Sequence, residues 1–176
     1  MQKVFLGALY PRERSFSLLP WVASPLVQES IDVYGKCFKV DPSRTFDIKW
    51  EPYDEDEKHN QIYYCEYNDF RDGLSDFFNT YVKDGILLLF TNCKLKRDTL
   101  DKGYRSGFAS GECPVVIVHN RYSVQYVQQI TIHEFGEVLD LGHCGSVECV
   151  MNGDLKAGSP IIFCKRHEEQ IKKLGK

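Results

Sequence analysis

His133-Glu134-Phe135-Gly136-Glu137-Val138-Leu139-Asp140-Leu141-Gly142-His143-Cys144 is the stretch on which the reading of the chain turns. Two metal-ligating side chains four residues apart share one face of a helix, and a third ligand beyond the helix end can close a site around one ion. His133, Glu137 and His143 stand in those places, although a second histidine is the usual residue where Glu137 stands. Glu134 directly follows the first ligand, where a carboxylate can serve as general base.

The helix that carries these residues is expected to begin near Asn120 or Ser123, both good N-caps. Val124, Val127, Thr131, Phe135 and Val138 form one stripe, and Tyr126, Ile130, His133, Glu137 and Leu141 form another beside it. Such a helix lies centrally, with His133 and Glu137 off the exposed surface. A bare histidine there is more often a hydrogen-bonded core residue than a ligand. The company of Glu134, Glu137 and His143 points to a ligand instead. Glu134, Glu137 and Asp140 also crowd three carboxylates into the helix end, where the macrodipole and mutual repulsion each cost some tenths of a kcal/mol to about 1 kcal/mol. A bound cation offsets this; a Lys or Arg partner, or exposure to water, are the alternatives. At position 140 the chain must leave the helix in a left-handed turn, which Asp tolerates at a cost of about 1 kcal/mol and which Gly142 can share.

Further on come Cys149, Met151 and the run Cys164-Lys165-Arg166-His167. Cys144, Cys149, Cys164 and His167 make a closed Cys3His set suited to tetrahedral zinc, and a closed set holds structure rather than performing chemistry. It would pin the irregular segment from Gly153 to Pro160 and a terminal helix from about Lys165 to Leu174. A His-Glu helix ending in His-Cys, then C-x4-C-x-M, then a second soft-ligand pair resembles the archaemetzincins, a branch of the metzincin metallopeptidases with an additional structural zinc. The resemblance runs from about Ile117 to His167 and is looser before that. Three residues depart from the family pattern: Glu137 in the second His place, Asp140 in the helix-ending Gly place, and His167 in the fourth Cys place.

The resemblance implies a zinc metallopeptidase that hydrolyses peptide bonds through metal-activated water. Glu134 would take the proton, His133, Glu137 and His143 would hold a catalytic zinc, and Met151 would be the Met-turn residue beneath it. Two histidines and a carboxylate are a known catalytic zinc set, and also the facial triad of non-haem iron. The carboxylate makes the ion a weaker Lewis acid than three imidazoles would, so hydrolysis is expected to be slow. A catalytically inactive relative, keeping only the structural zinc and a peptide-binding cleft, is the alternative. A third reading, a zinc-finger-like nucleic-acid module, is opposed by the acidic balance and by the lack of basic or aromatic clustering around Cys164.

The other features bound the fold. At 176 residues, one α/β domain over 1–176 is expected. The net charge of -3 and the scattered Lys and Arg favour neither nucleic acid nor a membrane surface as partner, and a monomer acting on a peptide or protein is expected. The run Val4 to Leu9 lacks the length of a span and the cleavage site of a leader, and reads as the first strand. Seven cysteines, three of them in metal-like spacing, argue against a disulfide framework and for the cytoplasm. Cys37, Cys65, Cys93 and Cys113 read as small buried hydrophobes. Helices are predicted over Pro20 to Tyr34 and Asp72 to Val82, and a strand between Lys36 and Trp50. Asp54 to Lys58 reads as a solvated loop. Ile86 to Phe90 and Val115 to Val118 read as strands covered on both faces, in a mixed, mostly parallel sheet. Tyr104 to Ser110 could pair at its edge, where the resemblance would have it hold a substrate peptide. His119 ends a central strand, with no spacing argument for a role.

Overall fold

Ile86-Leu87-Leu88-Leu89-Phe90 offers no polar face to water, and it becomes the middle of a sheet. A computed structural model describes residues 1–11, 25–50, 53–57, 60–66, 79–80, 82, 85–91, 94–96, 106–109, 115–119 and 123–174. Strands β1 (Gln2–Pro11), β2 (Phe38–Trp50), β5 (Gly85–Thr91), β7 (Gly107–Ala109) and β8 (Val115–His119) form a sheet in the order β2-β1-β5-β8-β7. The pairs β1/β2, β1/β5 and β5/β8 are parallel, and only β7 runs antiparallel, on β8. Every residue of β5 is buried, as a strand covered on both faces requires. The expected mixed sheet is therefore present, and its antiparallel edge strand Gly107–Ala109 falls within the stretch Tyr104 to Ser110 expected to pair there.

Two expectations need correction. Asp54 to Glu57 is not a loop: β3 (Tyr53–Glu57) pairs antiparallel with β4 (Asn60–Glu66), and β6 (Lys94–Lys96) adds to β4 in a small second sheet. Hydrogen bonds of the backbone are indifferent to side-chain charge, and acidic residues suit an edge strand because they discourage further pairing. The first helix, α1 (Pro25–Asp32), stops two residues before the expected Tyr34, and the chain turns through Gly35 at φ 66°. Residues 20–24, most of the helix expected over Asp72 to Val82, Asn120, Cys93, Cys113 and the side chains of Cys65 and His119 lie outside the described residues. Cys37, expected to be buried, is half-buried and packs against the core.

Helix α2 (Val124–Val138) packs on α1, β7 and β8. Ser123 caps it, its hydroxyl accepting from the Tyr126 N–H at 3.3 Å. Val124 is 56% exposed, so the apolar stripe begins at Val127 instead. From Val127 to Gly136 every residue except Gln128 is buried, which is the central position the two stripes predict. The Phe135 ring meets Phe38 edge-on at 4.9 Å between centroids, and Tyr34 meets Phe38 at 5.9 Å and Phe163 at 5.6 Å. Truncating a buried aromatic of this kind costs about 3–5 kcal/mol. This cluster joins α2, β2 and the C-terminal segment, and so fixes the helix end on which the candidate ligands sit. No described helix is long and apolar enough to cross a membrane.

Candidate metal centres

The end of α2 decides where His143 goes. The N–H of Leu141 bonds to the Gly136 carbonyl at 3.0 Å and the N–H of Asp140 to the Glu137 carbonyl at 2.9 Å, the paired bonds of a Schellman motif. Its left-handed position is Asp140, at φ 57°, the only described residue other than glycine with positive φ. Gly142 follows at φ 65°, so the reversal is shared as the sequence suggests. The chain then brings His143 back over the helix face that carries His133 and Glu137.

Glu137 Oε1 lies 2.6 Å from His143 Nε2 and 3.6 Å from His133 Nε2, and the two Nε2 atoms are 3.1 Å apart. Ligands about 2.0–2.1 Å from a tetrahedral zinc stand roughly 3.3 Å from one another, so these three atoms suit one ion. His133 Nδ1 is 2.7 Å from the Val150 carbonyl oxygen. A carbonyl only accepts, so Nδ1 carries the proton and the Nε2 lone pair faces the centre. Burial pushes the Glu137 carboxyl up, but the hydrogen bond and charge of His133 and the charge of His143 outweigh it and hold the group below its ordinary value. An ionised carboxylate is the form a cation needs. His133 is 8% exposed, whereas the His143 side chain is 51% exposed, so the centre opens to solvent on the His143 side. There a cleft of about 690 Å³ is bounded by His143, Asn152, Asp154, Lys156 and Ser159.

Glu134, 6% exposed, lies under the edge strand. A Cβ on Gly107 would come within 2.6 Å of its Oε1, so the absence of a side chain on β7 makes room for the carboxylate. Met151 is fully buried beneath α2, and a Cβ on Gly136 would meet its Cε at 2.7 Å and the Tyr34 hydroxyl at 2.8 Å. The Tyr34 hydroxyl donates to the Ile132 carbonyl, one residue before His133. Met151 thus packs against α2 at Gly136, between His133 and Glu137 along the chain.

The second centre gathers four ligands rather than three. Cys144, Cys149, Cys164 and His167 bring one ligand atom each within 4.8 Å of all the others. His167 Nδ1 lies 3.2 Å from Cys149 Sγ and 3.3 Å from Cys164 Sγ. With Zn–S bonds of about 2.3 Å, tetrahedral ligands stand roughly 3.5–3.8 Å apart, so the set fits a closed zinc site. Burial pushes the Cys149 thiol up to about 11. Cys164 goes the other way: burial raises it, but the N–H groups of His167 and Arg166 and bonds with Cys149 and Cys144 outweigh that. Cys164 precedes α3 (Lys165–Leu174), so those N–H groups belong to a helix N-terminus, which favours a thiolate. Loss of the protons of all three thiols in one such group needs a cation to offset the charge. The Gly153 to Pro160 segment is tied elsewhere as well, by Tyr126 Oη to the Leu155 carbonyl and Gln129 Nε2 to the Ser159 carbonyl, both from α2.

All seven expected ligands therefore fall into two groups, with Glu134 and Met151 beside the first. Gly107, Gly136, Tyr34 and the Val150 carbonyl were not foreseen. Gly136 could have been: a glycine inside a buried helix costs about 1 kcal/mol against alanine and marks a close approach.

No family model matches the sequence, and no curated protein matches it. The structure is similar to that of an archaemetzincin from Methanopyrus kandleri, at 20% identity over 99% of this chain and 96% of that one, with a TM-score of 0.66. A zinc-dependent peptidase from Methanocorpusculum labreanum is similar at 17% identity over 94% and 99%, with a TM-score of 0.56. An archaemetzincin from Archaeoglobus fulgidus, complexed with malonate, is similar at 16% identity over 96% and 99%, with a TM-score of 0.56. The fold of this chain is that of the archaemetzincins.

Proposed function

We propose that this chain is a zinc-dependent peptidase whose carboxylate ligand makes it slower than a three-histidine enzyme. The observation that carries the reading is the convergence of His133 Nε2, Glu137 Oε1 and His143 Nε2, with contacts of 2.6 to 3.6 Å. Three protein ligands leave a coordination position open, whereas the four of the second centre do not; the first is the catalytic zinc and the second the structural one. When bound, the catalytic zinc acts as Lewis acid and lowers the pKa of water.

The chain's own residues do the rest. Glu134 takes the proton from the attacking water and returns it to the leaving amine. The Val150 carbonyl keeps the His133 lone pair on the zinc side. Beyond β8, β7 ends the sheet, and a substrate peptide pairs with its outer edge. The cleft beside His143 receives a substrate side chain. Unpaired thiols as ligands favour the reducing cytoplasm, and a monomer of one domain acting on peptides or proteins is consistent with the charge and length. A second reading has one observation in its favour: the 2.6 Å contact between Glu137 and His143 satisfies both groups without an ion, as expected of a relative without catalysis.

The double substitution Glu137→His with Asp140→Gly separates the two. It removes two negative charges from a helix C-terminus and about 1 kcal/mol of left-handed strain. Zinc should bind the first centre more tightly, and peptide cleavage should rise by about tenfold, equivalent to roughly 1.4 kcal/mol off the barrier. Zinc affinity and cleavage are measured in parent and variant side by side. No gain in either would give the lead to the non-catalytic reading.

A further inference from the structure

A glycine inside a strand weakens it and marks a place where another group approaches closely. At Gly7 and Gly85 that group is ordinary packing: a Cβ would meet the Phe46 or Lys3 carbonyl oxygen and the Leu89 or Phe5 side chain. Gly107 in β7 differs. Two of the three nearest atoms there belong to Glu134, Oε1 at 2.6 Å and Cγ at 2.9 Å, and the third is Ile130 Cγ2 at 2.7 Å. The backbone itself does not demand glycine at this position, since Gly35, Gly142 and Gly158 are the glycines with positive φ among the described residues. Ala109, the next residue on the same face of the strand, carries a methyl against the core. The bare position is the one over the carboxylate.

We propose that Gly107 is a positioning residue, whose lack of a side chain sets where the Glu134 carboxylate stands under β7 and so its reach to the attacking water. The inference rests on the peptidase reading given above. Ordinary contact begins near 3.4 Å, so a methyl at position 107 would need Oε1 to retreat by roughly 0.8 Å and Ile130 Cγ2 by roughly 0.7 Å. The two do not yield alike. Glu134 places its oxygens through three rotatable bonds and moves them by torsion alone. Ile130 is β-branched, 2% exposed and held near one rotamer on its helix. The strand is held as well, because all three residues of β7 pair with β8. The carboxylate therefore gives way first. A shift of this size matters, since misplacing a reacting group by about 1 Å can cost about 10²-fold. A substrate paired with the outer edge of β7 does not meet a methyl that points at α2, so binding should be spared.

Steady-state kinetics on a generic peptide, with zinc analysis of the same samples, test this on the full chain in the parent, Gly107→Ala, Ile130→Ala and the double variant. In Gly107→Ala, kcat should fall by about tenfold or more, with KM and zinc content unchanged. Trimming Ile130 removes the stiff contact and leaves Glu134 to meet the methyl, so the double variant should stay about tenfold below Ile130→Ala. That comparison carries the test even where Gly107→Ala alone fails to fold. A crystal structure of Gly107→Ala, or of the double variant in that case, should show the Glu134 carboxylate turned off β7 with the β7–β8 pairing kept. A double variant as active as Ile130→Ala would make Gly107 a packing glycine and overturn the proposal, leaving the peptidase reading standing. A rise in KM at constant kcat, or a carboxylate still in place beside a displaced strand, would overturn it in the same way. A parent that cleaves no peptide would overturn both the proposal and the reading beneath it.

Discussion

Replacing Glu134 by Gln should lower peptide cleavage by about 10²–10⁴-fold, the contribution typical of a positioned general acid–base group. Zinc content and melting temperature should barely change, for three reasons. Gln has nearly the same volume and keeps an oxygen under Gly107, where no Cβ competes for the space. The substitution removes one of the three carboxylates at the helix end, so it relieves repulsion rather than adding to it. Glu134 is also not among the grouped ligand atoms of the first centre. Initial rates on a generic peptide substrate, with metal analysis of the same samples, check this. Equal rates in parent and variant would remove Glu134 from the chemistry.

Cys149→Ala should have the largest effect on stability. Structural zinc in small sites contributes apparent binding free energies of about 10–16 kcal/mol, and a buried ligand cannot be lost without losing most of that. The consequence should be local first. Val150 N–H bonds to the Ile162 carbonyl at 2.7 Å and Cys144 N–H to the Met151 carbonyl at 3.0 Å, and few other backbone bonds hold this segment. Released from zinc, the chain after Met151 should become sensitive to limited proteolysis while the parallel sheet stays protected. A variant that keeps its second zinc and the parent's digestion pattern would contradict the ligand assignment.

How much of this was legible in the sequence depended on how local the signal was. Ile86 to Phe90 is a continuous apolar run and the stripes of α2 are periodic, and apart from Val124 both landed where their burial requires. The ligands were legible because spacing along a helix and across a short loop translates almost directly into distance; Asp140 at φ 57° is the clearest case, since only a few residues tolerate that turn. What escaped were contacts between distant segments. Nothing in the neighbourhood of Gly107 says that Glu134 will lie beneath it, and nothing around Tyr34 says that its hydroxyl will reach the Ile132 carbonyl. The β3–β4 pair escaped for another reason: its acidic side chains look like a solvated loop, while the backbone bonds that make it a strand leave no mark on residue type.

In the function proposed above, His133, Glu137 and His143 hold a zinc ion of their own, separate from the one held by the cysteines. Metal analysis of protein purified without chelator tests it most directly, on the parent and on His133→Ala. Two zinc ions per chain in the parent, falling to one in His133→Ala, is the predicted result. One zinc per chain in the parent, unchanged in the variant, would contradict it.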